Sequence, residues 1–236
     1  MAQPQQLALG IALSDDATFN NFFLEPESPN LQALLSLGEQ ASGAGEQLIY
    51  LWGAEGVGLT HLLQACCHQA ANRGLRSQYI PLRDLSRFSP DSLCDDLSDL
   101  DLVCLDDVDT IAGKAQWEQA LFHLFNRLRD SGRRLLVAAH QSPKHLGVSL
   151  PDLHSRLSWG ITFQIQPMSD VEKCKALQLR AHTRGLDLSE EVSLFIVHRA
   201  PRDMNQLFEY LDELDQASLA EQRKLTIPFV KRVLGF

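Results

Sequence analysis

The stretch Gly53-Ala54-Glu55-Gly56-Val57-Gly58-Leu59-Thr60 limits this chain more than any other, because it keeps the G-x-x-x-x-G-K-[ST] spacing of a phosphate-binding loop in every part but one. In such a loop the glycines let backbone N–H groups turn inward around phosphate oxygens, and a lysine reaches the β- and γ-phosphates. Leu59 stands where that lysine belongs. The cradle needs a strand before it and a helix after it, so that the phosphate also meets a helix N-terminus. Leu48 to Trp52 is a short β-rich apolar run, and Thr60 to Ala71 is a helix-forming one that stops before Arg73-Gly74. These residues predict a site kept for binding nucleotide and impaired for hydrolysing it.

The same alternation continues downstream. Strands are predicted at 48–52, 77–82, 101–106, 134–139 and 161–166, with helices at 60–71, near 90–97 and at 115–130. Strands alternating with helices make an α/β architecture, here a parallel five-stranded sheet covered by helices on both faces. The helix over 115–130 puts Trp117, Ala120, Leu121, Leu124, Phe125 and Leu128 on one core-facing stripe and stops at Ser131-Gly132. After Gln166-Pro167 only helices are predicted, at 169–183, 189–199 and 202–217, with a last one opened by Thr226-Ile227-Pro228. Met204, Leu207, Phe208, Leu211 and Leu214 form the core face of the third of these. The expected division is a tail over 1–14, an α/β nucleotide-binding base domain over 15–166 and a small all-helical lid domain over 167–236.

Composition narrows the function classes. A chain of 236 residues with 44% hydrophobic content can bury a sizeable core. Its net charge of −9 repels a phosphate backbone, which disfavours tight DNA binding by the chain itself. No run of about 18 apolar residues is available to cross a bilayer, and the first residues lack the basic and apolar regions of a signal peptide. A cytoplasmic location is expected. The five cysteines, Cys66, Cys67, Cys94, Cys104 and Cys174, are an odd number without a C-x-x-C pair and are expected to be buried, reduced thiols.

A second constellation accompanies the loop. Leu102-Val103-Cys104-Leu105-Asp106-Asp107 is an apolar strand ending in two carboxylates. Proteins with a phosphate loop use the first such aspartate, with the loop hydroxyl, to hold magnesium. Asp106 and Thr60 suit that pair, and Asp107 stands where a base or water-orienting residue belongs. Two aspartates ending a strand in a turn are the plain alternative.

Gly58-Leu59-Thr60-His61-Leu62-Leu63, the Asp106-Asp107 strand end, the segment Leu150 to Gly160 and Pro201-Arg202-Asp203-Met204 together resemble the AAA+ module of the bacterial replication initiator DnaA. The resemblance covers about residues 15–236. It implies that Ala17 to Phe22, with Phe19 and Phe22, closes over the nucleotide base, and that Gly53 to His61 holds the phosphates. It further implies that Arg156 is an arginine finger reaching a neighbouring subunit's nucleotide, its alternative being a surface pair with Asp152. Arg202 would sense nucleotide from within the chain, or cap a helix end beside Asp203 or Glu209. His140, ending the fourth strand, would be a polar sensor facing phosphate, where an aspartate is the family's usual residue.

A DnaA-like module with a short N-terminal segment is similar to the DnaA homologues that act as regulatory inactivators of the initiator. The ending Arg223 to Lys231 shares that likeness. Gln6-Leu7-Ala8-Leu9-Gly10-Ile11 resembles the peptide by which replication proteins dock on the β sliding clamp, with Gln6, Leu7, Leu9 and Ile11 as anchors in a preformed groove. The expectation is a nucleotide-bound regulator, carrying ADP or another nucleoside diphosphate and magnesium, with little ATPase of its own. Docked on the clamp, and through it associated with DNA and the nucleoid, it would stimulate ATP hydrolysis by DnaA through Arg156 in trans. A self-contained AAA+ ATPase that remodels replication partners, and a non-catalytic clamp-tethered adaptor, are the alternatives. A homo-dimer or larger assembly fits the exposed arginine; a membrane partner is not expected.

Overall fold

The computed structural model describes residues 13–14, 17–94, 96–200 and 204–236. Five strands form one sheet: β1 (Leu48–Trp52), β2 (Ser77–Pro81), β3 (Leu102–Asp106), β4 (Arg134–Ala139) and β5 (Ile161–Gln164). They lie in the order β2-β3-β4-β1-β5 and every pair is parallel. A parallel strand inside such a sheet is buried on both faces and so reads as a continuous apolar run, which is why the three inner strands, β3, β4 and β1, were legible.

Side chains alternate across the sheet, and the two faces sort cleanly. Leu48, Tyr50, Val103, Leu105, Leu135 and Val137 enter one core, whereas Ile49, Leu51, Leu102, Cys104, Leu136 and Ala138 enter the other. The second core is covered by α1 (Leu31–Ala41) and α2 (Leu59–Asn72). The first is covered by α3 (Leu82–Leu85), α4 (Pro90–Cys94), α5 (Ala115–Asp130) and α6 (Pro151–Leu157). A third core, built from Leu177, Ile196, Leu207, Leu211, Leu214 and Val230 among others, belongs to α7 (Asp170–Thr183), α8 (Glu190–Arg199), α9 (Met204–Glu221) and α10 (Ile227–Leu234). Ser169 opens α7 with a capping box to Glu172, and Pro228 sits in the first turn of α10.

Several boundaries differ from the sequence reading. Leu82 starts α3 instead of ending β2, and its side chain joins Ile80 in the first core. The helix expected near 90–97 is α4 followed by a 3-10 turn over Asp96–Asp99. β5 ends at Gln164, although the Ile165 N–H still donates to the Trp52 carbonyl at 2.8 Å before the chain leaves for α7. The sequence reading assigned no element to α1. Gly38 lowers its helix propensity, and its preceding Asn30 does not cap it; the Asn30 amide instead exchanges two hydrogen bonds with the backbone of Gln166, at 3.0 and 2.8 Å. All five cysteines are buried and free, as expected.

One buried carboxylate ties the base of the fold together. Glu118 on α5 is 1% exposed and accepts N–H groups from Gly113 at 2.7 Å, Ser149 at 3.0 Å and Leu150 at 2.7 Å. It thereby fastens the loop that leads into α6. A buried charged acceptor with several donors is costly to remove, because the donors lose their partner. Glu118→Ala is expected to lower unfolding stability by about 3 kcal/mol in urea titration; a loss of less than about 1 kcal/mol would mean that water replaces the carboxylate.

Candidate nucleotide site

The carboxyl ends of β1, β3 and β4 meet at one edge of the sheet, where ligands of open parallel sheets bind. A cleft of about 630 Å³ opens there between the phosphate loop and the helices α7 and α9. Ala54 to His61 line one wall. Phe22, Phe23, Asp106, Asp107 and His140 line it too, with Pro167, Met168, Lys173, Ala176, Arg180, Asn205 and Phe208 contributed from the helical side.

The loop has the backbone that a cradle requires. Gly58 lies at φ +93 as the residue preceding α2, and a Cβ on it would meet the Phe22 ring at 2.9 Å. Gly53 is needed for close approach instead: a Cβ there would lie 2.8 Å from the Ile165 carbonyl oxygen. Leu59, in place of lysine, is 5% exposed and packs in the core beneath the sheet with Leu51 and Leu62. The replacement therefore leaves no hole; it turns a charged position into core.

Thr60 and Asp106 come together as expected. The Thr60 hydroxyl donates to Asp106 Oδ2 at 2.7 Å, and the Asp107 N–H donates to Oδ1 at 3.0 Å. Tyr79 on β2 adds a donor that the sequence reading missed, its hydroxyl lying 2.9 Å from the same Oδ2. Burial and the Asp106 charge both push the Tyr79 phenol well above its ordinary range, so it stays protonated and donating. An aromatic residue in a strand reads as core. Only the pairing of Tyr79 with Cys104 across β2 and β3, which no local pattern encodes, brings its hydroxyl to Asp106. The oxygens of Thr60 and Asp106 form a hard donor set that suits magnesium, since Thr60 keeps its lone pairs while donating its proton.

Asp107 is held in a left-handed conformation at φ +53, and its carboxylate pairs with Arg83 at 3.2 Å and His140 at 3.4 Å. His140 Nδ1 lies 3.3 Å from the Gly53 carbonyl oxygen, and the His140 backbone N–H donates to Asp109 Oδ1 at 3.1 Å. His140 thus stands at the cleft floor between the loop and the second aspartate. His61 ties the preceding segment to α2: its Nε2 lies 2.8 Å from the Thr18 carbonyl oxygen and its ring 5.5 Å from that of Phe22.

Other expectations need correction. Phe19 packs against the core beneath the sheet and does not line the cleft; the 3-10 turn over Phe19–Asn21 presents Phe22 and Phe23 instead. Gly53 shapes the cleft through its carbonyl without lining it. Phe208, read as core, faces the cleft. Arg156 lies outside this cleft, on α6, with its guanidinium 5.7 Å from the centre of the Phe125 ring. The Phe125 ring meets Trp159 edge-on at 6.2 Å, and Trp159 is 56% exposed. Among the described residues Arg156 makes no ion pair with Asp152. Arg202 and the segment with Gln6, Leu7, Leu9 and Ile11 lie outside the described residues.

Family models account for nearly all of this architecture. The model of the bacterial DnaA ATPase domain matches residues 13–164, and that of the Hda lid domain matches residues 170–234. The chain belongs to the bacterial DnaA ATPase-domain family. Domain III of the replication initiation protein DnaA from Thermotoga maritima is 24% identical, with a TM-score of 0.81 over 95% of this chain and 98% of that one. An AMPPCP-bound DnaA from Aquifex aeolicus is 26% identical, with a TM-score of 0.73 over 86% of this chain and 66% of that one. The RuvB branch migration motor of Thermotoga maritima shares the fold at 14% identity, with a TM-score of 0.68 over 93% and 71%. The DnaA-type AAA+ fold, a five-stranded parallel sheet with helices followed by a helical lid, is therefore the fold of this chain.

In this DnaA-type site the second aspartate carries the clearest pH signature. Burial raises the Asp107 carboxyl, the Asp106 charge raises it further, and Arg83 offsets only part of this. A carboxyl whose folded value lies above its unfolded value of about 4 stabilises the fold in acid and loses that contribution as pH rises through the folded value. Asp107→Asn is therefore expected to melt above the parent at neutral pH, with the gap closing below about pH 4. A variant that melts below the parent at neutral pH would show that the Arg83 pair outweighs burial.

Proposed function

We propose that this chain is a nucleotide-bound regulator of replication initiation that acts on a partner's ATP and not on its own. The observation that carries this reading is the separation of two functions: the chain's own cleft has Leu59 where a phosphate-reaching lysine belongs, while Arg156 stands on α6 away from that cleft. An arginine so placed cannot serve its own nucleotide. It is positioned for the edge of a second ATPase domain, where a guanidinium stabilises charge spreading over the transferring phosphoryl group.

The resident ligand on this reading is ADP, held by the N–H groups of Ala54 to Thr60, with Thr60 and Asp106 as the residues that would hold magnesium. Magnesium when bound supplies positive charge between phosphate oxygens. Loss of an oriented lysine removes a charge-assisted contact worth about 1.5–3 kcal/mol, felt most at a γ-phosphate. Turnover by the chain itself is accordingly slight. The partner is DnaA, and recruitment runs through the β sliding clamp by Gln6, Leu7, Leu9 and Ile11, which places the protein at replicating DNA in the cytoplasm.

The decisive experiment measures phosphate release from ATP-loaded DnaA with clamp-loaded DNA and this protein. Arg156→Ala is expected to reduce stimulated release by at least about a thousand-fold, the scale of an arginine finger, while nucleotide and clamp binding persist. Undiminished stimulation would sink the proposal. Removal of residues 1–13 should abolish clamp association, and retained association would refute that part of the reading. Hydrolysis by the protein alone at ordinary AAA+ rates, lost in Asp107→Asn, would favour an autonomous ATPase.

A further inference from the structure

We infer that Gln64 on α2 is a positioning residue for the nucleotide site. It is the middle link of a hydrogen-bond chain that runs from the Ser14 backbone through Tyr79 to Asp106, and so ties magnesium-assisted nucleotide binding to the N-terminal segment. This rests on the reading of the cleft as a nucleotide and magnesium site, and adds a regulating contact to it. The Ser14 N–H donates to Gln64 Oε1 at 2.9 Å, and Gln64 is in turn a hydrogen-bond partner of the Tyr79 hydroxyl. That hydroxyl reaches Asp106 Oδ2 at 2.9 Å, the oxygen to which Thr60 also donates.

The polarity of the chain is fixed by its first member. A backbone N–H can only donate, so the Gln64 carbonyl oxygen must face Ser14, which leaves the NH2 group for Tyr79. A phenol has a single proton. With Gln64 donating to its oxygen, Tyr79 spends that proton on Asp106. Linked hydrogen bonds of this kind polarise one another, so a loss at one end is felt at the other. When the Ser14 donor is withdrawn, the Gln64 amide is free to turn its oxygen to Tyr79 and compete for the one proton. Asp106 then loses one of the three donors that orient it, the others being Thr60 and the Asp107 N–H.

Side chains of α2 hold the segment in place. His61, Gln64 and His68 fall at i, i+3 and i+7, on one face of the helix. His68 Nε2 lies 2.9 Å from the Ser14 carbonyl oxygen, so both backbone groups of Ser14 meet α2, and His61 meets the Thr18 carbonyl oxygen further on. Leu13 packs against the core beneath the sheet. Ser14 follows Ile11 by three positions. A partner that takes hold of Gln6 to Ile11 therefore pulls on the residue that opens the chain, and its grip reaches Asp106 without entering the cleft.

Titration calorimetry on the full chain with ADP, in magnesium and in EDTA, tests this. Ser14→Pro removes the N–H and imitates the pull, whereas Ser14→Ala keeps it. Ser14→Pro, Gln64→Leu and Tyr79→Phe are each expected to weaken ADP binding about fivefold in magnesium and to leave it within about twofold in EDTA, with Ser14→Ala behaving as the parent. The double variant Ser14→Pro/Gln64→Leu should lose no more than Gln64→Leu alone, because a chain already broken is not broken again. Parent-like binding in magnesium by any of the three single variants would overturn the inference while the nucleotide reading stands. Losses of equal size in magnesium and EDTA would overturn it too, since they mark damage to a cleft wall, and so would losses that add in the double variant. A parent that does not bind ADP at millimolar concentration, or binds it equally with and without magnesium, would remove the underlying reading and this inference together.

Discussion

The hydrogen bond from Thr60 to Asp106 is the contact on which the site depends, because it joins the helix after the phosphate loop to the end of the neighbouring strand. It exists only because β1 and β3 run parallel and end at the same edge, with β4 between them. Tyr79 and the Asp107 N–H complete the shell around the Asp106 carboxylate, which is 3% exposed. A buried charge with three donors is held in one orientation, and its neighbours take their places from it. The left-handed turn at Asp107, the pair with Arg83 and the approach of His140 all follow from where Asp106 ends the strand.

The balance of the cleft is unusual for a polyphosphate site, and its parts explain one another. Leu59 gives the base a continuous apolar core from Ile49 to Leu63, at the loss of the one cation that the loop itself would carry.

The sequence carried the sheet and the loop in legible form because both depend on local pattern: apolar runs for buried parallel strands and glycine spacing for the cradle. Helix α5 was readable to the residue, as its stripe and the Ser131-Gly132 stop coincide. What escaped was set by tertiary contact. Helix α1 opens without a side-chain cap, because Asn30 spends its side chain on Gln166, more than a hundred positions away. Phe208 read as core and Tyr79 carried no role, because side-chain type says nothing of which neighbour lies across an open cleft or a strand pair. Phe19 and Phe22 could not be told apart in sequence, since a single 3-10 turn decides which ring reaches the cleft.

Glu118 has one more consequence. Its carboxylate binds the loop ahead of α6 to α5, whose apolar stripe packs on the face of the sheet opposite α2. The bearing of Arg156 is in this sense built in at folding and does not wait on what occupies the cleft. On the proposed reading, a residue aimed in advance has no switch of its own, and encounter with its partner decides when it acts.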